Sequence, residues 1–310
     1  MEIRTLQVEK NDDGLRLDRW FYRNLPSMPF VVVAKLIRKG QVRIDGKRAK
    51  INSYVKSEQI IRTPVIEFEE HKRQPDVKPN NFNSTKAAIL KSVIFEDENL
   101  MVLNKQYGLC VQDGTNVSIS IDRILRLAGI EAKIVHRIDK KTTGLLILAK
   151  SSYAAAEISK LFRDKDINKT YLAILCGVPE ERKGVIQTVI PKFESDSSKE
   201  QAAETKFRVL VTYQDMLSLV EMTPLTGRKH QIRLHSKEIN CPILGDSKNK
   251  YRGSGNKNSV YKNAKLHLHA YSLSFKLFDK TYNLKAKLPD HFLDTMTKYF
   301  PTAKIKGYDF

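Results

Sequence analysis

A chain of 310 residues with 41% hydrophobic side chains can bury a core, and this composition excludes a wholly disordered protein. Its 54 basic and 35 acidic residues give a net charge of +19, which favours nucleic acid as a partner. Three scattered cysteines, Cys110, Cys176 and Cys241, exclude a disulfide framework or a cysteine-rich metal site and fit a reducing compartment.

The N-terminal residues lack the apolar run of a signal peptide, and no stretch is long and apolar enough to cross a bilayer. We therefore expect a soluble, cytoplasmic protein with no membrane partner. The basic surface gives no sign of an apolar interface, so a monomer is expected.

Residues 13–66 predict a small basic domain with two helices followed by strands. The first helix is indicated by the helical spacing of Leu17, Trp20 and Phe21. The second helix should end at Gly40. The pair Asp45-Gly46 then predicts the turn of a β-hairpin. Residues 1–66 hold 14 basic and 7 acidic side chains, a net charge of +7. An ordinary solvated face would have the same composition. The candidate RNA contacts of this domain are Arg16, Arg19, Lys35, Arg38, Lys39 and Arg43.

Residues 67–90 are polar and contain Pro75, Pro79 and several asparagines, which predicts a linker.

Residues 91–302 predict a larger domain with more strands than helices. Strands are expected in SVIFE, LMVLNK, GLLILAK, TYLAILCG, ETKFRVLVTY, LSLVEMTP and LHLHAYSLSF, and helices in SISIDRILRLAG, SSYAAAEISKLFRDK and HQIRLHSKEI. Because strands and helices do not alternate strictly, the pattern predicts an α+β fold with a mixed or antiparallel sheet. The chain has no glycine-rich phosphate loop, so we expect no nucleotide cofactor.

The run VHRIDKKTTGLLILAK places His136, Arg137 and Asp139 directly before a wholly apolar strand. A rigid strand edge can hold a catalytic carboxylate still, and a turn at Thr142, Thr143 and Gly144 can position the loop before it. A surface loop in which Asp139 only caps a neighbouring element fits the residues equally well.

A second run, TPLTGRKHQIRLH, combines a turn at Gly227 with a helix that Thr226 could cap. Arg228, Lys229 and exposed N–H groups would form a phosphate cradle there, and Arg233 could point back to Asp139 and keep it ionised. The alternative is a basic helix on a basic protein. Tyr171 begins an apolar strand and, from its position alone, is a packing residue.

Two resemblances join these runs. The features RLDRW, IRKGQVRIDGK and the strand around Ile60 resemble the S-four-type RNA-binding domain, although PSMPFVVVAKLI departs from its usual second helix. The runs HRIDKKTTGLLILAK, TGRKHQIRLH with CPILGD, and LHLHAYSLSF resemble, in that order, the signatures of the RluA-type pseudouridine synthases. Within that family SISIDRIL is most similar to the ribosomal large subunit pseudouridine synthase C branch, whereas Gln112-Asp113-Gly114 replaces a common histidine-containing stretch.

The resemblance implies an isomerase that converts uridines in large-subunit ribosomal RNA to pseudouridine, without a metal or small-molecule cofactor. By the same resemblance Asp139 would be the nucleophile, Arg233 its partner, and Tyr171 would lie against the uracil. Arg137 would fill the space left by a flipped uridine, and the other RNA contacts would be His136, Thr143, Arg228 and Lys229. Attack at C1′, attack at C6 and a glycal route remain open.

Two other functions also fit the residues. One is an RNA-binding ribosome-assembly factor without catalysis, which the charge supports equally well. The other is a ribonuclease or hydrolase in which His136 or His230 acts as general base with Asp139. His267 and His269 alternate along a strand and are expected to bind within the sheet and not to a metal.

Overall fold

The computed structural model describes residues 2–25, 28–65, 79–113, 117, 119–191, 200–247, 264–301 and 307–308. The chain divides into two compact units, Met1–Val77 and Lys78–Phe310.

The first unit is a four-stranded antiparallel sheet with two helices. The strands are β1 (Ile3–Gln7), β2 (Arg43–Ile44), β3 (Lys47–Arg48) and β4 (Ile60–Pro64), in the order β1-β4-β2-β3, and the helices are α1 (Leu17–Asn24) and α2 (Phe30–Arg38). Leu17, Trp20 and Phe21 are almost fully buried in its core, as the helical spacing predicts. After α2 the N–H of Gln41 donates to the carbonyl of Leu36, which terminates the helix beside Gly40 as expected.

The sequence did not indicate β1, which pairs along its whole length with β4. Its residues are exposed or only half-buried, so the strand lacks the apolar alternation by which strands are recognised. The predicted start of this domain at residue 13 is therefore too late.

The second unit is built on a ten-stranded sheet. Eight strands follow the order β10-β11-β12-β9-β13-β8-β6-β5, while β14 pairs with β13 and β7 with β8. The strands are β5 (Val93–Glu96), β6 (Leu100–Lys105), β7 (Lys133–Ile134), β8 (Thr143–Ala149), β9 (Asn168–Cys176), β10 (Lys183–Pro191), β11 (Glu200–Tyr213), β12 (Leu217–Pro224), β13 (Leu268–Leu277) and β14 (Lys280–Lys285). The helices are α3 (Phe82–Lys91), α4 (Ile121–Leu127), α5 (Ser152–Asp164), α6 (Gln231–Glu238) and α7 (Asp290–Tyr299). One pair, β8–β13, is parallel and the other described pairs are antiparallel, so the predicted mixed sheet is confirmed.

Strand β8 is buried on both faces. Leu145 and Ile147 pack with residues of α5 on one side, and Leu146 and Leu148 pack with residues of α4 on the other. Both helices begin with a serine cap, as Ser120 Oγ accepts from Arg123 N–H and Ser151 Oγ accepts from Ala154 N–H. Strand β8, which begins four residues after Asp139, is therefore fixed by packing on both faces of the sheet.

Gly144 allows the parallel contact between β8 and β13. Its φ of +103° lies in the region that favours glycine, and a Cβ at this position would lie 2.2 Å from the carbonyl oxygen of Ala270. The backbones of the two strands could not approach this closely with any other residue here.

The prediction of a linker over residues 67–90 is wrong for residues 82–90, because these belong to helix α3. Phe82 and Ile89 are buried against α4 and the sheet, a pattern that the surrounding polar residues obscure. The second unit therefore begins before the predicted boundary at residue 91. Residues 66–78 and the predicted end at residue 302 lie outside the described residues.

Candidate active site

The predicted motifs meet at a cleft of the second unit with a volume of about 540 Å³. The cleft is lined by residues 136–139, by the start of β9, by the end of β12 and by the turn before α6. Six basic side chains line the cleft: Arg137, Arg163, Lys165, Lys169, Arg228 and Arg233. The excess of positive charge makes the cleft suitable for an anionic ligand.

Asp139 lies in this cleft with a quarter of its side chain exposed. Its Oδ2 is 2.6 Å from His230 Nδ1 and 3.6 Å from Arg233 Nη1. The predicted approach of Arg233 to Asp139 is therefore present, but His230 is the nearer partner. Sequence reasoning treated His230 only as a possible base or helix start.

The surroundings of Asp139 keep it ionised. Burial alone would raise the pKa of Asp139, but the hydrogen bond from His230 and the charges of His230, Arg233 and Arg137 outweigh it, so the pKa lies below its ordinary value. A carboxylate that is anionic at neutral pH and partly open to a basic cleft can act as a nucleophile or as a base.

Arg233 is held mainly by Asp246. Its Nε and Nη2 donate to the two oxygens of Asp246 at 2.8 and 2.6 Å, and both side chains are almost fully buried. Gly245 precedes Asp246 with φ +81°, and a Cβ there would lie 2.0 Å from the carbonyl oxygen of Lys265. The CPILGD run therefore delivers the carboxylate that fixes Arg233, a role that the sequence analysis did not assign.

The loop that carries Asp139 is fixed by hydrogen bonds from the backbone and from a buried lysine. Thr142 N–H donates to the carbonyl of Asp139, which closes a turn over residues 139–142. The prediction of a turn at Thr142, Thr143 and Gly144 is wrong, because Thr143 and Gly144 are the first residues of β8. Lys105 is 1% exposed, and its ammonium donates to the carbonyls of Gln106, Leu109 and Lys140. Burial lowers the pKa of Lys105 to about 7, while the negative charge of Asp139 counts among the effects that oppose this shift.

Tyr171 lines the cleft from strand β9. Burial, assisted by the negative charge of Asp139, raises the pKa of the Tyr171 phenol well above its usual range. The phenol is therefore neutral at physiological pH. Because Tyr171 lines the cleft, its position supports a role in contacting a ligand as well as in packing.

His136 lines the cleft with its ring fixed by two contacts. Its Nε2 accepts a hydrogen bond from Ile147 N–H at 2.8 Å, and the ring stacks on Phe162 with the ring centres 4.3 Å apart. Burial, with a smaller effect of the nearby Lys169, lowers the pKa of His136 to about 3. The lone pair of Nε2 is thus occupied, which disfavours His136 as the general base of a ribonuclease.

Thr143 does not lie in the cleft, so the prediction that it contacts RNA is wrong. It is 1% exposed and its hydroxyl is 2.8 Å from His269 Nδ1 inside the sheet, because the period of a strand turns it away from its neighbour Thr142. Thr142 lines the cleft instead. His269 also approaches the carbonyl of Ala286, so its expected bonding within the sheet is confirmed. For His267 the expectation is wrong, because its ring contacts the carbonyls of Lys265 and His291 and the hydroxyl of Thr295 on α7.

The turn before α6 differs in detail from the predicted phosphate cradle. Arg228 lines the cleft and Lys229 is exposed, but the backbone N–H of Arg228 donates to the side chain of Gln231. Thr226 also donates to Gln231 and accepts from Glu204 N–H, so it does not cap the helix. These bonds fix the turn, and they use an N–H that the cradle would have needed.

Further cationic residues line the cleft that the sequence analysis did not select. Arg163, Lys165 and Lys169 extend from the end of α5 to the start of β9. Their shared signal in the sequence was a basic cluster after an amphipathic helix. In the first unit, the six predicted RNA contacts Arg16, Arg19, Lys35, Arg38, Lys39 and Arg43 are all exposed.

Among the described residues, no group of three or more His, Cys, Asp and Glu side chains has an arrangement that could hold a metal ion. No helix in the described part of the chain is long and apolar enough to span a membrane. In the segment Gln112-Asp113-Gly114, Asp113 accepts a hydrogen bond from Ser120 Oγ beside α4, and Gly114 lies outside the described residues.

Comparisons with known proteins identify relatives over most of the chain. Residues 99–238 match the family model described as RNA pseudouridylate synthase. The ribosomal large subunit pseudouridine synthase C of Rickettsia conorii is 34% identical over 91% of this chain and 96% of its own length. The enzyme of the same name from Vibrio cholerae is 29% identical, with coverage of 96% and 98%. The solved structure of human RNA pseudouridylate synthase domain containing 4 aligns with a TM-score of 0.62 at 29% identity, and covers 71% of this chain and 97% of its own.

Proposed function

Because the chain belongs to the RNA pseudouridylate synthase family, we propose that it isomerises specific uridines of large-subunit ribosomal RNA to pseudouridine. The substrate class follows the names of the relatives, which match nearly the whole chain. This reaction breaks the N1–C1′ bond, joins C5 to C1′, removes the proton at C5 and leaves one at N1. No atom is gained and nothing is oxidised, so the chemistry needs an anionic group and precise placement of the uracil.

The observation that carries the proposal is an ionised Asp139 in a basic cleft, held by His230 and Arg233. In our proposal Asp139 is the nucleophile, and Arg233 keeps it anionic through its charge. Arg233 is suited to this role because Asp246 prevents it from turning away.

Tyr171 is proposed to lie against the uracil and to take part in moving the proton at C5. Its neutral phenol, next to the carboxylate, can accept or donate a hydrogen bond without carrying charge. His136, with its ring stacked on Phe162, is proposed to form part of the wall that the nucleotide contacts.

A base in a duplex could not enter a cleft of this size, so the target uridine is proposed to flip out of its stack. Arg137 is exposed next to Asp139, and its planar guanidinium could stack in the space that the base leaves. The basic cleft residues, with Arg228 and the neighbouring Lys229, would neutralise the phosphates on either side.

The first unit is proposed to be an S-four-type RNA-binding domain that provides a second RNA-binding surface. Its two helices carry or flank most of the exposed basic side chains, and the hairpin of β2 and β3 carries more. We also propose that the protein is a monomer and that it works in the cytoplasm, where ribosomal RNA is found.

The proposal is tested with large-subunit RNA that contains uridine tritiated at C5, since the reaction releases that tritium to water. We expect Asp139→Asn to lower the rate of release by more than about a thousandfold while it still binds RNA. Asp215→Asn makes the same change at an exposed turn and should retain full activity.

Tritium release by Asp139→Asn at the wild-type rate would overturn the role of this carboxylate. If the wild-type protein binds RNA and releases no tritium, the non-catalytic assembly factor becomes the better description. Shortening of the RNA during incubation would support a ribonuclease instead.

A further inference from the structure

Both polar contacts of the Asp139 carboxylate involve the same oxygen. His230 Nδ1 and Arg233 Nη1 both approach Oδ2, whereas Oδ1 has no hydrogen-bond partner among the described residues and is not among the buried unpaired atoms. We propose that His230 is a positioning residue that holds Oδ2, so that Oδ1 is the oxygen that reacts with the uridine. This inference rests on the proposed function, because it assumes that Asp139 performs the reaction.

The donor in the short contact is His230. An ionised carboxylate can only accept hydrogen bonds, so Nδ1 must carry the proton that lies between the two groups. The distance of 2.6 Å is that of a strong, charge-assisted hydrogen bond. Arg233 Nη1 lies 3.3 Å from the same nitrogen, and this is then a contact between two donors and not a second hydrogen bond.

Arg233 is not placed to donate a hydrogen bond to Asp139 as His230 does. Its Nε and Nη2 are committed to Asp246, and the remaining Nη1 reaches Asp139 at 3.6 Å, beyond hydrogen-bond distance. Arg233 therefore contributes charge, whereas His230 fixes the direction of the carboxylate.

The backbone explains how His230 reaches Asp139. His230 directly precedes α6 and has φ 58° and ψ 20°, a left-handed conformation that is uncommon outside glycine and that asparagine, aspartate and histidine adopt more often than other residues. Its side chain makes no capping bond to the helix. This left-handed backbone coincides with the contact of the His230 ring to Asp139.

The chemistry of each open route needs one carboxylate oxygen that is not already engaged. In attack at C1′, Oδ1 forms a bond to C1′ while the electron pair of the C1′–N1 bond moves to N1, and Oδ1 leaves with its own pair when C5 bonds to C1′. In attack at C6, the pair of the C5=C6 bond moves towards the C4 carbonyl, the pair of the C1′–N1 bond moves to N1, and the displaced pair then joins C5 to C1′. Loss of the proton at C5 leaves its pair to restore the C5=C6 bond as Oδ1 departs with its own pair. In the glycal route Oδ1 takes the proton from C2′ and returns it when C5 adds.

The inference also predicts how activity depends on pH. The charged and titratable groups around Asp139 are His230 and Arg233 on the α6 side, Arg137 in its own loop, Lys105 on β6 and Tyr171 on β9. Loss of the His230 donor leaves Asp139 easier to protonate, because a hydrogen bond to the charged form is lost. The acid limb of the rate profile should then move to higher pH.

Two substitutions at position 230 separate the effect of losing the hydrogen-bond donor from the effect of changing the backbone conformation. His230→Asn keeps an N–H near the position of Nδ1 and tolerates the left-handed conformation. His230→Gly also tolerates that conformation but removes the donor. Asn240→Gly, at an exposed left-handed residue just after α6, is the control for adding glycine beside this helix.

We expect His230→Gly to lower kcat for tritium release by about tenfold to a hundredfold, with little change in KM and with the acid limb moved to higher pH. His230→Asn should recover most of the rate and the wild-type pH profile, and Asn240→Gly should match the wild type. Thermal melts should show both variants at position 230 folded.

Wild-type kcat in His230→Gly would overturn the inference, as would an effect on KM alone. Equal loss in the asparagine and glycine variants would also overturn it, because the donor would then not be the reason. These results differ from failure of the proposed function, in which the wild-type protein itself would release no tritium.

Discussion

At the scale of single residues, the position of Asp139 depends on groups from distant parts of the chain. His230 fixes one oxygen of its side chain, Thr142 binds its carbonyl, and Lys105 binds the carbonyl of the next residue, Lys140. Lys105 is unusual among these because its ammonium is buried and its hydrogen-bond partners are all neutral carbonyls. Burial of a charge without a directly bonded anion is costly, so the site retains Lys105 at the expense of stability.

The cost of Lys105 should be visible as a pH-dependent stability. Its folded-state pKa of about 7 lies below the ordinary value of 10.5, so between these values the unfolded chain binds more protons than the folded one. The contribution of Lys105 to stability should therefore rise with pH across that window, by about 1.4 kcal/mol per pH unit at most. Urea unfolding of wild type and Lys105→Met from pH 7 to 10 measures it, and a difference that does not vary with pH would contradict the prediction.

The residues of the site could be predicted only in part. Motifs that are continuous in the sequence identified four residues that line the cleft: Asp139, Arg137, Tyr171 and Arg233. Asp246 is thirteen residues beyond Arg233, and its role depends on a buried turn that sequence spacing does not reveal. Thr143 was misassigned because neighbouring residues on a strand point to opposite faces, and the phase of β8 is set by its tertiary contacts.

At the scale of elements, the site depends on the contact between β8 and β13. These strands pair in parallel through Thr143 and Gly144 with His269 and Ala270, directly after the loop of Asp139. Since parallel strands need a long connection, this contact joins segments that are far apart in the chain. Most elements recognised in the sequence have a continuous apolar pattern. The unrecognised elements β14, α3 and α7 have polar residues at half or more of their positions, and in β10 polar residues and a glycine interrupt the apolar ones.

Gly144→Ala should disrupt this contact. We expect a loss of about 3 kcal/mol or more in the free energy of unfolding, because the Cβ would overlap the carbonyl of Ala270 and the backbone conformation would be strained. Gly129→Ala is the matched control, since Gly129 also has a positive φ but an added Cβ would meet no atom within 4 Å. The control should lose only about 1–2 kcal/mol. Equal losses in urea denaturation would show that overlap with Ala270 is not the cause.

At the scale of the whole molecule, the excess of basic residues is shared by both units. The cleft has six basic side chains along its walls, and residues 1–66 have a net charge of +7 from 14 basic and 7 acidic side chains. Because such contacts release counterions from RNA, the affinity should fall steeply as salt is added.

Replacing Lys35, Arg38 and Lys39 together with alanine should weaken RNA binding and lower the slope of log affinity against log salt by about 2 to 3. The release of tritium at saturating RNA should change little, because these residues lie outside the unit that contains the cleft. Alanine at the exposed Lys183, Lys206 and Lys276 removes the same charge elsewhere and should change the slope less. An equal change of slope in both triple variants, measured by filter binding, would show that net charge alone matters.

Strand β13 also determines when the site can form. Among the described strands, it is the one that hydrogen-bonds both to the half of the sheet containing β5 to β8 and to the half containing β9 to β12. Asp139 belongs to the first half, and His230 and Arg233 follow the second. During translation the two halves cannot be joined until residues near Ala270 have emerged, so a nascent chain that ends before β13 lacks an assembled cleft. The carboxylate of Asp139 is therefore expected to meet His230 and Arg233 only after β13 has been made.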